Sequence, residues 1–230
     1  MRVIVIKHHE IDDAGFIGAA FEALGATLDV HLFPDDGPLP SLDGAEHVIV
    51  LGAVWSVYDR ENIGHWIDAE LDWLRAADAA GVPVLGICFG AQALTAAMGG
   101  QVEPAAHPEI GWTVIETSAP DLIEPGPWLE FHNDQCIVPP RATVLARNEL
   151  CVQAFAVGRH LGVQFHPEVD GAQVRRWLDD GGDKAARRAG VDPDAVAAES
   201  VAVEPEAERR AAGLVATARL LGAGQAALTG

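Results

Sequence analysis

The first hundred residues alternate short runs of β-branched apolar residues with longer stretches whose apolar positions recur at helical spacing. Residues 2–6 read as a buried strand, 13–24 as an amphipathic helix and 27–32 as a second strand. Residues 47–51 form a third strand candidate, 62–80 a long helix with Trp66 and Trp73 on its apolar side, and 83–87 a fourth strand. Apolar strands separated by helices mark a parallel sheet covered on both faces, because each crossover lays a helix against the sheet.

From residue 101 to 165 the runs shorten and turn residues separate them. Segments 111–117, 142–146, 152–157 and 160–165 read as an antiparallel extension of the same sheet. From Gly171 onward the chain is rich in Ala, Glu and Arg, with Asp192 placed to cap a helix and Pro193 at its first position, so two or three surface helices are expected. The fold expectation is α/β: a single open, mostly parallel sheet flanked by helices, formed by residues 1–182, with 183–230 a helical extension packed on it.

With 49% hydrophobic residues in 230, the chain can bury one substantial core. Its 15 Lys and Arg against 34 Asp and Glu leave a formal charge of −19, which repels phosphate-rich nucleic acid and anionic membrane surfaces, so neither is expected as a partner. The N-terminal apolar run is stopped by Lys7, His8, His9 and Glu10, too soon for a secretory signal, and no stretch approaches the roughly 20 apolar residues of a membrane span. The three cysteines, Cys88, Cys136 and Cys151, lack disulfide-framework or zinc-ligand spacing, which points to a reducing cytoplasmic setting and to no metal. Cys136 and Cys151, in β-rich surroundings, read as structural.

Cys88 differs. The strand at 83–87 runs into Gly86-Ile87-Cys88-Phe89-Gly90 and then directly into a helical pattern. Glycines on both sides of the central residue permit a sharp strand-to-helix turn that leaves the thiol projecting above the sheet. A helix N-terminus favours thiolate, and the N–H of Phe89 can face a developing oxyanion. A cysteine at a strand end is ordinarily a small buried residue; the paired glycines argue for a nucleophile.

Such a nucleophile needs a base, and nine histidines are available. His8, His9, His31, His47 and His65 have ordinary places beside strands or in an amphipathic helix. His166 stands at the carboxyl end of a strand, in the run Val163-Gln-Phe-His-Pro-Glu168, where α/β sheets gather catalytic groups. Pro167 restricts the backbone between them, so Glu168 can hold one imidazole nitrogen while the other faces the thiol. Read alone, His-Pro-Glu is equally a surface turn.

Together these motifs resemble the class I, or triad, glutamine amidotransferases, which carry Gly-x-Cys-x-Gly followed by Gln and a downstream His-x-Glu. The similarity is greatest to the glutaminase domain of GMP synthase and its stand-alone relatives, through segments 51–59, 86–92, 109–112, 131–134 and 163–168. The resemblance implies a flavodoxin-like fold, a Cys88, His166, Glu168 triad, an oxyanion hole from the N–H groups of Gly52 and Phe89, and substrate contacts from Gln92, His132, Asn133 and Asp134. Gly52-Ala53-Val54 stands where the family usually has Gly-Gly-Pro, and Asn133 where close relatives have glycine; asparagine tolerates a left-handed backbone, so the turn is expected to survive.

The implied reaction is hydrolysis of the glutamine side-chain amide through a cysteine thioester, without cofactor or metal, with ammonia passing to a partner synthetase chain. A γ-glutamyl amide or peptide hydrolase or transferase, with Trp55 and Asn133 beside the pocket, is the alternative within the same chemistry. A catalytically silent binding relative is the alternative of another class.

Overall fold

In a computed structural model, residues 1–224 are described. The chain runs β1 (Arg2–Lys7), α1 (Gly15–Ala23), β2 (Thr27–Leu32), β3 (Ala45–Val50), α2 (Arg60–Ile63), α3 (Ile67–Ala80), β4 (Val84–Ile87) and α4 (Phe89–Ala97). It continues through β5 (Gln101–Thr113), β6 (Glu116–Thr117), β7 (Trp128–Ile137), β8 (Thr143–Arg147), β9 (Val152–Val157) and β10 (His160–Val163), then α5 (Gly171–Trp177), α6 (Asp183–Arg188) and α7 (Pro193–Gly222). One sheet has the order β2-β1-β3-β4-β10-β9-β8-β6, and β5 pairs with β7 in a second sheet. The pairs from β2 to β10 are parallel, and those from β10 outward to β6 antiparallel.

The period-2 alternation of a strand divides the core. Val3 and Val5 face α1 and α7, in a cluster with Ile17, Phe21 and Leu214. Ile4 and Ile6 face α3 and α4, with Ile67, Leu74, Phe89 and Leu94. The mostly parallel sheet with its antiparallel extension is therefore as the apolar pattern predicts.

Three elements differ from expectation. The helix expected over 62–80 is two: α2, capped by Asp59 accepting from the Asn62 N–H, ends at Gly64, and α3 begins after Trp66. The strand expected over 111–117 is split, its first part ending β5 and its second forming β6. β5 and β7 make a separate ribbon, irregular between Pro104 and Glu109, where prolines without an N–H interrupt the ladder.

Asp192 caps α7 as expected, accepting from the Asp194 N–H at 3.0 Å, with Pro193 next. The helix is more than a solvated face. Ala211, Leu214, Val215, Ala218 and Leu221 form a helical stripe buried in the same cluster as β1 and β10. Among the described residues no helix is long and apolar enough to cross a membrane.

Candidate active site

Cys88 joins β4 to α4 with φ 52° and ψ −109°, and it is the one described non-glycine residue with positive φ. Side chains avoid that region, so surrounding structure must impose it. The two flanking glycines make the turn possible. A Cβ on Gly86 would lie 2.5 Å from the Gly90 carbonyl oxygen, and one on Gly90 would lie 2.1 Å from that of Val50. The Cys88 N–H donates to the Val163 carbonyl at 2.8 Å, tying the bend to the end of β10.

Past that end, the His166 N–H donates to Leu129 at 2.8 Å, bracing the loop against β7. His166 Nδ1 and Glu168 Oε1 are 2.8 Å apart, with both side chains buried. Burial alone would push the imidazole pKa down. The charges of Glu168 and Cys88, with the hydrogen bond to Glu168, outweigh it and hold the pKa well above the ordinary value. Cys88, His166 and Glu168 are thus brought together at the carboxyl ends of adjacent parallel strands.

Gly52 follows β3 in the same row of strand ends. A Cβ there would sit 3.0 Å from His166 Cε1 and 3.7 Å from Cys88 Cβ, so its lack of a side chain lets the loop close over both. Phe89 is fully buried at the start of α4, and Gln92 lies one turn on, its N–H donating to the Cys88 carbonyl at 3.0 Å. Gly52, Cys88, Gln92, His132, Asn133, Asp134 and His166 all border one cavity of about 330 Å³.

One expectation at β7 needs correction. Asn133 lies in an extended strand, not in a left-handed turn, and its side chain is exposed at the cavity edge. His132 has both ring nitrogens engaged within the protein. Nδ1 donates to the Asp134 carbonyl at 2.9 Å, and Nε2 sits 3.2 Å from carboxylate oxygens of Glu109 and Glu130, an ion pair at distances in range but poorly aligned for hydrogen bonds. Burial, which opposes protonation, is outweighed by those two acids, and the His132 pKa is held up to about 10. Asp134 is fixed by Ser56 Oγ at 2.5 Å and Tyr58 OH at 2.7 Å.

Some neighbours carry no local sequence signal. Trp177 packs edge-on against His166 at 4.7 Å between ring centroids, and its Nε1–H donates to Asp12 at 2.8 Å. Burial raises the Asp12 pKa, and the Glu168 charge adds to it. The general rule that a buried acid must be partnered announces that such contacts exist but not which residues make them. Among the described residues, Glu109, His132 and Cys151 gather metal-capable atoms within 4.8 Å of one another. The Asn148 and Gln153 amides donate to Glu109 at 2.6 and 3.0 Å, and burial pushes the Cys151 thiol pKa far up, so the group forms a hydrogen-bonded network of neutral thiol, amides and acids.

Comparisons with known proteins give the same direction. The chain is 34% identical over 167 residues to a GMP synthase (glutamine-hydrolyzing) subunit of Thermoplasma volcanium, covering 66% of this chain and 76% of that one. Against the longer GMP synthase (glutamine-hydrolyzing) of Edwardsiella ictaluri the identity is 34% over 107 residues, 39% of this chain and only 20% of that protein. The crystal structure of a glutamine amidotransferase from Thermotoga maritima superposes with a TM-score of 0.85 at 25% identity, covering 95% of this chain and 97% of that one. The model of the family described as glutamine amidotransferase class-I matches residues 13–181, and with these relatives it shows that the chain belongs to the class-I glutamine amidotransferases.

Proposed function

We propose that the chain hydrolyses the side-chain amide of glutamine by nucleophilic catalysis at Cys88 and releases ammonia for a partner synthetase. The observation that carries this reading is a cysteine held in a left-handed bend beside a buried His166–Glu168 pair, at the wall of a cavity.

The Cys88 thiolate attacks the γ-carboxamide carbon, and the carbonyl π electrons move to oxygen. Backbone N–H groups of Phe89 and Gly52 stabilise that oxyanion, at about 3 kcal/mol per donor in comparable acyl-transfer sites. His166 Nε2–H protonates the departing nitrogen, the C–N bond breaks and ammonia leaves, with a γ-glutamyl thioester on Cys88. Water then gives a proton to His166, attacks the thioester carbon and expels the thiolate with glutamate. Glu168 accepts from Nδ1–H throughout, which keeps Nε2 turned to the sulfur and stabilises the imidazolium. No step calls for a metal or cofactor.

Gln92 and Asn133 offer amides to the glutamyl backbone, and Asp134, steadied by Ser56 and Tyr58, offers negative charge to its α-ammonium. His132, on the same face of β7 as Asp134, acts as the internal counter-ion of Glu109 and Glu130. Similarity to GMP synthase (glutamine-hydrolyzing) subunits of Thermoplasma volcanium and Saccharolobus solfataricus supports a separate synthetase chain as the ammonia acceptor.

One observation favours a second reading. The cavity continues past Cys88 to Trp177, Asp180, Gly181 and Ala185, which suits an amide with a substituent larger than hydrogen, as in a γ-glutamyl peptide. Turnover of glutamine and of γ-glutamyl dipeptides by the purified chain decides between them. The first reading expects glutamine to have the higher kcat/KM; a dipeptide preferred by tenfold or more overturns it. In either case Cys88→Ala should abolish glutamate release while leaving circular dichroism unchanged.

A further inference from the structure

Beneath the proposed oxyanion loop lies a fully buried pair of ionisable groups that the mechanism does not use. His8 Nε2 is 3.0 Å from Glu70 Oε2, and both side chains are completely shielded from solvent. His8 immediately follows β1, and Glu70 comes from the first turn of α3. Ile6 pairs with Val50, and the Leu51 N–H donates to the Ile6 carbonyl at 2.9 Å, so continuing the register sets His8 beside Gly52. Residues two apart on a strand share a face, which turns the imidazole to the side of Ile4 and Ile6, towards α3 and α4.

The ring is held closely there. It stacks on Trp66 at 5.4 Å and 20°, and meets Phe89 edge-on at 5.0 Å and 68°. It therefore touches the residue that supplies one proposed oxyanion N–H and adjoins the loop that supplies the other. Nδ1, on the Gly52 side of the ring, is buried without a hydrogen-bond partner. Glu70 Oε1 is likewise unpartnered. A buried ion pair is a poor stabiliser, since desolvation offsets most of its attraction and apolar residues of similar volume often do as well or better. In a pocket lined by Trp66 and Phe89, two leucines would satisfy packing alone.

We propose that the His8–Glu70 pair is a positioning device for the oxyanion hole: Glu70 fixes the imidazole, which is stacked on Trp66, wedged edge-on against Phe89 and set beside Gly52 by the β1–β3 register, so both donors keep their aim. The proposal rests on Cys88 being an acylating nucleophile. Neither His8 nor Glu70 borders the cavity, so neither touches substrate. A misplacement of about 1 Å in such a site lowers turnover by as much as about 100-fold.

The test compares two reactions of the same sulfur. Hydrolysis develops an oxyanion, whereas alkylation by iodoacetamide displaces iodide directly and develops none. Four proteins are needed: wild type, His8→Gln, Glu70→Gln, and the double variant His8→Leu with Glu70→Leu. Expected for all three variants is a fall in kcat of about 10- to 100-fold with KM within about threefold, while Cys88 alkylation stays within about twofold of wild type. The double leucine variant should melt no lower than wild type, which separates positioning from folding. Variants with wild-type kcat, or whose alkylation falls in parallel with hydrolysis, overturn the positioning role. A wild-type protein that alkylates at Cys88 but turns over neither glutamine nor γ-glutamyl dipeptides removes the acylation chemistry itself, and this role with it.

Discussion

Gly90→Ala is the smallest change that should disable the site from outside it. An ideal Cβ at position 90 lies 2.1 Å from the Val50 carbonyl oxygen and 2.7 Å from the Val50 carbonyl carbon, whereas real Cβ contacts essentially never fall under 3.0 Å. At least 3.0 − 2.1 = 0.9 Å must therefore open between α4 and β3. The obstacle is backbone in the middle of the sheet, so no side chain can rotate away. Overpacking of this kind costs about 3 kcal/mol, at the upper end of the usual range. The same displacement moves Cys88, two residues earlier, relative to His166 and lowers turnover by about 100-fold. Urea unfolding with linear extrapolation measures the first effect, and glutamate release the second. Gly81→Ala is the control: its φ of +71° is strained for alanine, but a Cβ there meets nothing within 4 Å, so the loss is about 1 kcal/mol with turnover unchanged. A Gly90→Ala protein with wild-type midpoint and rate would refute the steric account of the bend.

Glu168→Gln should retain the fold and lower kcat by about 100-fold or more, with KM within a few-fold, because a neutral amide no longer stabilises the imidazolium of His166; steady-state kinetics at pH 7 check it. Two histidines should shape the pH dependence of stability, read by urea unfolding at stepwise pH. Burial pushes His47 down to about 4, so the folded chain refuses a proton that the unfolded chain accepts. Stability should then fall as pH drops from about 6.5 to 4, and His47→Gln should flatten that limb. His132, held up to about 10 because Glu109 and Glu130 outweigh its burial, keeps its proton when folded. Its contribution is complete below about 6.5 and is lost as pH rises through 10, so His132→Gln should remove the alkaline decline and lower stability at neutral pH.

Much of the architecture was legible because it is local. Val3, Val5, Ile4 and Ile6 announce a strand buried on both faces, and Gly86-Ile-Cys-Phe-Gly90 announces a bend that only small flanking residues allow. The β5–β7 ribbon was not legible, because Pro104 and Pro108 break its ladder and leave no alternation to read. The burial of α7 was hidden by its many charges, although Ala211, Leu214, Val215 and Ala218 already mark a stripe. Within the candidate site, the motifs point to Cys88, His166 and Glu168, which the fold brings together, but the company they keep depends on tertiary structure. His8 and Glu70 are 62 residues apart, Tyr58 and Asp134 are 76 apart, and Trp177 and Asp12 are 165 apart. His132 was legible as a cavity-lining candidate but not as an internal counter-ion, since its acids Glu109 and Glu130 become neighbours only when β5 and β7 pair.

The central claim is that Cys88 becomes covalently acylated by the substrate. Wild-type protein mixed with excess glutamine, quenched in acid within a turnover and digested for mass spectrometry, should carry a γ-glutamyl group on the peptide containing Cys88. Glu168→Gln should form the adduct more slowly, and Cys88→Ala should form none. Glutamate released at the wild-type rate by Cys88→Ala, or an acyl group found on any other residue, would contradict the account.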